Sequence, residues 1–530
     1  MRPAVPPPDS PTPQRLGVVG AGTMGSGIAQ LGLLAGMETW LHDPFEDALV
    51  RGVERLREGL RKGAERGRWS EADVRAAQDR LHAAPSVGDL SDCELVIEAA
   101  PERPDLKREL FAQLSEVCGP DTVLATNTSS ILVSSIATAA ARPENVVGMH
   151  FFNPPVLMKL LEVIAAAQTG ERALAVARAT GEAMGKHVIV AVDGPGFLVN
   201  RCGRPFGGEA LRLLQERVAT VEQIDRICRL GGGFRMGPFE LMDLVGIDVG
   251  FEVAKSFTEQ SFGEPRWKPS MLQAQKVAAG QLGRKTGKGW YDYEHGPHRP
   301  EDEEPPPLGG GAGLPVAIDG SGRLASALRE RAREAGFDAR EASEFHAEEL
   351  WLLVDAESPA PVADEDLLGD SPSGPPLLAI CADRSLAERG QPEACGFHLL
   401  PPLPEAKLME LTRLPSTPAL TQARAEEFAS ALGYRHEWVG DAPGLVLGRI
   451  VCQLVNEAAF AIGEGVGSAE DVDAGVTLGL NHPRGPVEWS RAIGLEHVLA
   501  TVDGLYDERR EERYRAAPLL RRAVAIDAEL

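Results

Sequence analysis

Two histidines in this chain lie 248 residues apart, and seven further residue pairs keep the same spacing. His150 and His398, Glu162 and Glu410, Gly196 and Gly444, Arg201 and Arg449, Glu209 and Glu457, Asp225 and Asp473, Pro238 and Pro486, and Gly246 and Gly494 all share it. A constant offset over so many identities marks an internal repeat, and a repeat constrains architecture before any local signal does. The 530 residues would fill about three or four domains of ordinary size. The offset organises them as a two-domain unit present twice.

The first copy opens on residues 15–36, "RLGVVGAGTMGSGIAQLGLLAG". A short apolar strand, 16–19, runs into Gly20-x-Gly22-x-x-Gly25, and a helical pattern follows through Leu34. Gly20 permits the tight turn, Gly22 lets backbone approach a pyrophosphate, and Gly25 lets helix and strand pack closely. The helix N-terminus then presents unpaired N–H groups and the positive end of its dipole to phosphate. A glycine turn alone is weak evidence, but the next strand, 38–42, ends in Asp43. A carboxylate there is placed to accept both ribose hydroxyls and to repel a 2′-phosphate, favouring NAD over NADP. The competing reading has Asp43 cap the helix that follows. Further strands at 94–98 and 122–125, with a helix over 104–117 between them, predict a doubly wound parallel sheet. Ligands of such sheets bind along the carboxyl edge. Glu102 and Lys107 follow the third of these strands, and Asn127, Thr128, Ser129 and Ser130 follow the fourth.

Composition narrows the function classes. The formal net charge of −24 argues against non-specific binding to nucleic acid or an anionic membrane. No run of about 18 consecutive apolar residues is present, so no membrane span is expected. The proline-rich residues 1–14 lack the apolar core of a signal peptide and read as a disordered leader. Seven dispersed cysteines without a CxxC pair suggest a reducing, cytoplasmic setting with neither a disulfide framework nor a metal site. One segment runs against the acidic balance: residues 51–68, "RGVERLREGLRKGAERGR", carry seven basic residues against three acids. It reads either as a solvated helix face with i,i+4 pairs or as an electrostatic seat for a polyanion such as coenzyme A.

The stretch 146–166, "VVGMHFFNPPVLMKLLEVIAA", carries the chemistry. His150 ends one strand, and Glu162 interrupts the apolar run 160–164. A buried carboxylate is costly without a partner. A histidine paired with it would have its tautomer fixed and its basicity raised, as general acid–base work near neutral pH requires. An isolated strand histidine is more often structural. The nucleotide fold upstream and the polar "NTSS" loop favour the catalytic reading.

The segments "VVGAGTMGSGIAQ", "TNTSS", "HFFNPPVLMKLLEVI", "GPGFLVNR" and "GRKTGKGWYDY" occur in one order. With them the chain resembles the 3-hydroxyacyl-CoA dehydrogenases, and within them the longer, two-unit bacterial 3-hydroxybutyryl-CoA dehydrogenases. The likeness covers residues 15–293 strongly and 444–498 for a second helical domain. It implies NAD-dependent oxidation of an (S)-3-hydroxyacyl-CoA to the 3-ketoacyl-CoA, in the setting of fatty acid β-oxidation. It further implies His150 as general base and Glu162 as its charged partner, with Ser129 and Asn200 bonding the reacting oxygen. Gly20, Gly22, Thr23, Met24, Gly25, Asp43, Glu102, Lys107 and Asn127 would contact NAD, and Asn153 and Arg66 the acyl-CoA. The family's serine and lysine on the helix after the second strand correspond here to Gly59 and Arg66.

The expected organisation is a leader (1–14), an NAD-binding Rossmann domain (15–193), a helical domain (194–293), a charged Pro- and Gly-rich linker (294–313), a degenerate Rossmann-like domain (314–441) and a second helical domain (442–530). The fold class is thus α/β plus all-α, duplicated. In the second copy "VVGAGTMG" has become "AIDGSGRLA", with Ala325 in the place of the third glycine, and the phosphate turn reads as lost. "CADR", 381–384, replaces "NTSS", Pro401 replaces Asn153, Gly448 replaces Asn200, and about fifty residues are missing before the histidine stretch. His398 and Glu410 survive, either as a mutually satisfied structural pair or as binders of another ligand. The well-kept second helical domain predicts an internal pseudo-two-fold pair, with a homodimer through helical domains as the alternative. Two rival functions remain: a dehydrogenase of a free hydroxy acid, and a non-catalytic protein on a dehydrogenase fold. No stretch is left over for a hydratase domain.

Overall fold

The computed structural model describes residues 12–357 and 374–530. Most of the expected leader lies outside the described residues.

The first sheet has eight strands: β1 (Arg15–Val19), β2 (Glu38–His42), β3 (Leu81–Ala84), β4 (Leu95–Glu98), β5 (Val123–Thr126), β6 (Val146–Phe151), β7 (Leu160–Ala165) and β8 (His187–Val192). Their order is β3-β2-β1-β4-β5-β6-β7-β8, parallel throughout except for the antiparallel pair β6 and β7. The central strands β1, β4 and β5 are short apolar runs buried along nearly their whole length, as a sheet covered on both faces requires. Leu16, Val18, Ile28, Leu95, Ile97, Val123 and Val147 form the centre of that core.

The second sheet repeats the plan with seven strands: β9 (Pro315–Asp319), β10 (Asp338–Arg340), β11 (Leu352–Asp355), β12 (Leu377–Ile380), β13 (Cys395–His398), β14 (Leu408–Arg413) and β15 (Arg435–Val439). The order is β10-β9-β11-β12-β13-β14-β15, again with one antiparallel pair, β13 and β14. Its second strand is cut to three residues, and among the described residues no partner beyond it corresponds to β3.

The helices obey the 248-residue offset element by element. Val199–Gln215 matches Leu447–Gly463, Val221–Gly232 matches Ala469–Leu480, and Pro238–Val245 matches Pro486–Ile493. They do not all stay with the sheet of their own copy. One compact unit consists of the chain up to Arg201 together with Gly465–Leu480; the other contains Cys202–Glu464 and Asn481–Leu530. In the first unit, helix Ala469–Leu480 lies on β7 and β8. Gly475 and Gly479 permit the approach: a Cβ on either would stand 2.8 Å from Val199 or Leu160. In the second unit, helix Val221–Gly232 lies on β14 and β15. Even the backbone bonds correspond. Val192 N–H donates to Val466 O (3.1 Å), and 248 residues on, Gly440 N–H donates to Val218 O (2.7 Å). Each sheet is thus covered by a helix that follows the other sheet's copy in sequence.

The expected linker is a strap rather than a free connection. His298 Nε2 lies 2.8 Å from Glu240 Oε1, Arg299 Nε donates to the same oxygen (2.6 Å), and Arg229 forks onto Asp302 (2.9 and 3.0 Å). Its alternating charges find partners on the helices it crosses.

Candidate active site

The turn after β1 shows why its glycines are glycines. Gly20 has φ +99°, and a Cβ there would stand 2.6 Å from Ala99 O; a Cβ on Gly25 would stand 1.7 Å from Gly20 O. Around Gly22 no atom lies within 4 Å of the Cβ position, leaving an open cradle. Helix Thr23–Leu34 begins there with no side-chain cap and no acid in its first turn, so its N–H groups suit a phosphate. Thr23 is exposed and Met24 half-buried at that helix start. Asp43 Oδ2 accepts from Ala21 N–H (2.9 Å), which aims the carboxylate at the turn. Helix Glu46–Glu65 has Phe45 as its N-cap, so Asp43 does not cap it. This cradle, an uncapped helix start beside a carboxylate, fits a dinucleotide.

The same turn accepts a cation that sequence reasoning passed over. Arg55 Nη1 donates to Ala21 O (3.0 Å). The basic helix is therefore mixed: Arg55 faces inward, while Arg61 and Lys62 pair with Glu58 on the surface. Gly59 faces the neighbouring helix, where a Cβ would stand 2.5 Å from Gln30 Oε1. Arg66 is exposed just past the helix end.

The "NTSS" loop is held by Glu102. Its Oε1 accepts from Thr128 Oγ1 (2.6 Å), Ser129 N–H (2.9 Å) and Ser130 N–H (3.1 Å), with the Ser129 hydroxyl 3.4 Å away. Burial pushes this carboxyl up, but Lys107 and the loop donors outweigh burial and hold it below its usual range. Lys107 itself is 1% exposed, its Nζ 2.7 Å from Glu98 and 3.4 Å from Glu102. Its ammonium, claimed by buried Glu98 and by Glu102, anchors the loop from beneath. Asn127 Oδ1 accepts from Phe151 N–H (2.8 Å), tying the loop to the end of β6. Asn153 is exposed in the loop beyond that strand.

His150 and Glu162 face each other across β6 and β7 in direct register. His150 Nδ1 lies 2.8 Å from Glu162 Oε2. Glu162 is 0% exposed, and its other oxygen accepts from Leu198 N–H and Val199 N–H, both 3.0 Å. Those amides open helix Val199–Gln215, whose second residue is Asn200. Phe197, at φ +52°, turns the chain into that position; a non-glycine residue there is strained and marks a constraint. Sequence reasoning missed Glu98, Phe197 and the two amides. Glu98 carried the same signal as Glu162, a carboxylate closing an apolar strand.

The second copy keeps this frame and loses its pairing. Glu410 still accepts from Val446 N–H (2.8 Å) and Leu447 N–H (3.0 Å). His398 does not bond it: its Nε2 lies 3.3 Å from His497 Nε2, and its Nδ1 has no partner among the described residues. The expectation of a mutually satisfied pair is thus corrected. The cause is Gly448 in the place of Asn200: a Cβ there would stand 2.2 Å from the His398 ring, so only glycine admits this ring position. Burial, then His497, pushes His398 well below its ordinary value, and burial lifts Glu410 to about 8 against its two backbone donors. Both shifts favour the uncharged forms of the two groups. The phosphate turn is also different from expectation. Its shape persists, with Gly320 at φ +122° and helix Arg323–Glu334 following, but Glu357 fills it, accepting from Ser321 N–H (2.6 Å) and Ser321 Oγ (3.1 Å). The chain's own carboxylate occupies the place of an anionic ligand.

Comparison with known proteins agrees with this division. The NAD binding domain of 3-hydroxyacyl-CoA dehydrogenases matches residues 15–194, and the C-terminal domain of the same enzymes matches twice, at 196–293 and 444–528. The 3-hydroxyadipyl-CoA dehydrogenase of Escherichia coli K12 is 32% identical over 97% of this chain and 98% of its own length. A probable 3-hydroxybutyryl-CoA dehydrogenase of Deinococcus radiodurans is 39% identical over 53% of this chain and all of its own. The crystal structure of 3-hydroxybutyryl-CoA dehydrogenase from Escherichia coli K12 superposes with a TM-score of 0.82 at 31% identity, covering 97% of this chain and 98% of that one. With its glycine turn, Asp43 and repeated helical set, the chain belongs to the 3-hydroxyacyl-CoA dehydrogenase family and is an NAD-dependent oxidoreductase.

Proposed function

We propose that the first copy oxidises a short-chain (S)-3-hydroxyacyl-CoA, 3-hydroxybutyryl-CoA among them, with His150 as general base and Glu162 as its partner. One observation carries this reading: a buried carboxylate takes two backbone amides on one oxygen and His150 Nδ1 on the other. An acceptor at Nδ1 keeps the proton there and leaves the Nε2 lone pair to take the substrate's hydroxyl proton. Glu162 then stabilises the imidazolium. Ser129 and Asn200 supply neutral donors to the oxygen as it becomes a carbonyl. NAD, when bound, supplies the hydride acceptor; the glycine turn and Asp43 would hold its pyrophosphate and adenosine ribose. The relatives named above act, by their names, on CoA thioesters, which supports a thioester over a free acid. The second copy, with its histidine parted from its carboxylate and its turn filled by Glu357, serves architecture.

The test is NADH formation from 3-hydroxybutyryl-CoA against free 3-hydroxybutyrate. The thioester should win in kcat/KM by at least about 100-fold, because remote binding energy orients the reacting carbon. Equal turnover of the free acid would favour a small hydroxy-acid enzyme, and no NADH from any 3-hydroxyacyl-CoA would favour a binding protein. Coenzyme choice gives a second prediction. Asp43→Ser should raise the KM for NAD roughly 10- to 100-fold, the loss of a charged acceptor, and raise NADP turnover relative to NAD. Unchanged coenzyme preference in that variant would remove Asp43 from the ribose site.

A further inference from the structure

Phe45 breaks two local rules at once. It is the N-cap of helix Glu46–Glu65, where Ser, Thr, Asp or Asn ordinarily satisfies the first free N–H groups, and its side chain makes no cap bond. Its ring is also 72% exposed, so burial recovers little from it. A residue that serves neither the helix nor the core points to a role outside both. The backbone ties it to the dinucleotide turn. Asp43 Oδ1 accepts from Phe45 N–H (3.1 Å), while Oδ2 accepts from Ala21 N–H (2.9 Å) in the turn itself. One carboxylate thus stands between the phosphate cradle on one side and the aromatic residue on the other.

The second copy provides an internal control. Before its missing residues it follows the first at a constant offset of 300. Gly20, Gly22 and Gly36 recur as Gly320, Gly322 and Gly336, and helix Thr23–Leu34 recurs as Arg323–Glu334. Phe45 recurs at that offset as Phe345, whereas Asp43 becomes Ser343. Phe345 is half-buried, packs against Ala317, Ala342 and Leu353, and has the Arg340 guanidinium over its ring at 4.0 Å. Where the carboxylate is lost and Glu357 fills the turn, the fold takes the ring in. Where the carboxylate and the open turn are kept, the ring is left to solvent.

We propose that the Phe45 ring is the stacking face for the adenine of NAD. This rests on the reading above, in which Asp43 accepts the hydroxyls of the adenosine ribose. The base hangs from that same ribose, and the pyrophosphate leaves it toward the glycine turn. The side of the carboxylate that carries Phe45 is therefore the side open to the base. An aromatic ring already exposed there offers the base a π-face without any rearrangement of the core.

The experiment is a calorimetric titration of the full chain with NAD, repeated with AMP as competitor, which reads binding without turnover. Phe45→Ala should raise the Kd of both by a like factor, roughly 5- to 100-fold. Phe45→Tyr should stay within about threefold of wild type, and Phe45→Leu, which keeps apolar bulk without a π-face, should fall between the two. An unchanged Kd for NAD in Phe45→Ala overturns the inference. So does a loss that Phe45→Tyr fails to restore, which would make the ring a packing element. A raised KM for the 3-hydroxyacyl-CoA with the Kd for NAD unmoved would assign the ring to the adenine of coenzyme A instead, and overturns it too. Asp43→Ser, titrated alongside, separates the two readings. If it weakens NAD while Phe45→Ala does not, only this inference falls; if neither variant weakens NAD, the ribose site falls with it.

Discussion

His150→Gln should lower kcat by on the order of 10²–10⁴, while replacing its counterpart, His398→Leu, should change turnover less than about twofold. Glutamine keeps the size and one donor toward Glu162 but offers no basic nitrogen, so the loss reports proton transfer rather than packing. His398 differs in each respect that matters: its ring contacts His497 rather than a carboxylate, it is held neutral by burial and by His497, and the turn of its own sheet is filled by Glu357. Leucine there removes a buried nitrogen that has no partner. Steady-state NADH assays on both variants decide the matter. Near-wild-type turnover in His150→Gln would end its assignment as base, and a large loss in a folded His398→Leu would mean two working sites.

Much of this site is legible in the sequence because its residues answer to local rules. Gly20 and Gly25 are required by a φ of +99° and by a helix that passes too close for any Cβ. Asp43 and Glu162 stand out as carboxylates at or within apolar strands. What stays hidden depends on the tertiary neighbour. "SAEDVDAGVTLGL" and its counterpart "TVEQIDRICRLGG" both read as amphipathic helices, and nothing in either string says which sheet it will cover. The exchange follows only from the small residues Gly475 and Gly479 meeting Val199 and Leu160. The family resemblance implies Lys107 as a cofactor contact, but no string shows that Glu98, a carboxylate of the strand before it, holds its ammonium under the loop. The parting of His398 from Glu410 is invisible at both positions. It is caused at a third, Gly448, where a deleted side chain makes room for the ring.

Arg449→Met should destabilise the second unit by about 3–5 kcal/mol, read as a lower urea midpoint for that unit. Arg449 has no exposed surface and lies on helix Leu447–Gly463, which is buried from Leu447 through Ala461. Its Nε donates to Glu209 Oε2 (2.9 Å), Nη1 to Glu216 Oε2 (2.6 Å) and Nη2 to the Tyr514 hydroxyl (2.6 Å). The bond to Glu209 joins the helical set of one copy to that of the other, so its loss reports on the internal pairing itself. Methionine fills the stem's volume but takes one cation from each of two acids, leaving Glu209 with Arg513 and Glu216 with Arg509, and weakening a buried ionic network is costly. The double variant Arg449→Met with Glu209→Leu should lose less than the sum of the two single losses, because both act through one bond, a coupling that a purely steric effect would not produce. Acid should act in the same direction. Burial pushes Glu209 up, but Arg513 and Arg449 outweigh burial and hold it at about 2. Its contribution is complete above the unfolded glutamate value of about 4.3 and is lost as pH falls through about 2. The wild type should lose stability across that interval, and Arg449→Met should show a shallower slope there. A variant as stable as wild type, with an unaltered acid profile, would mean that the buried network does not hold the two helical sets together.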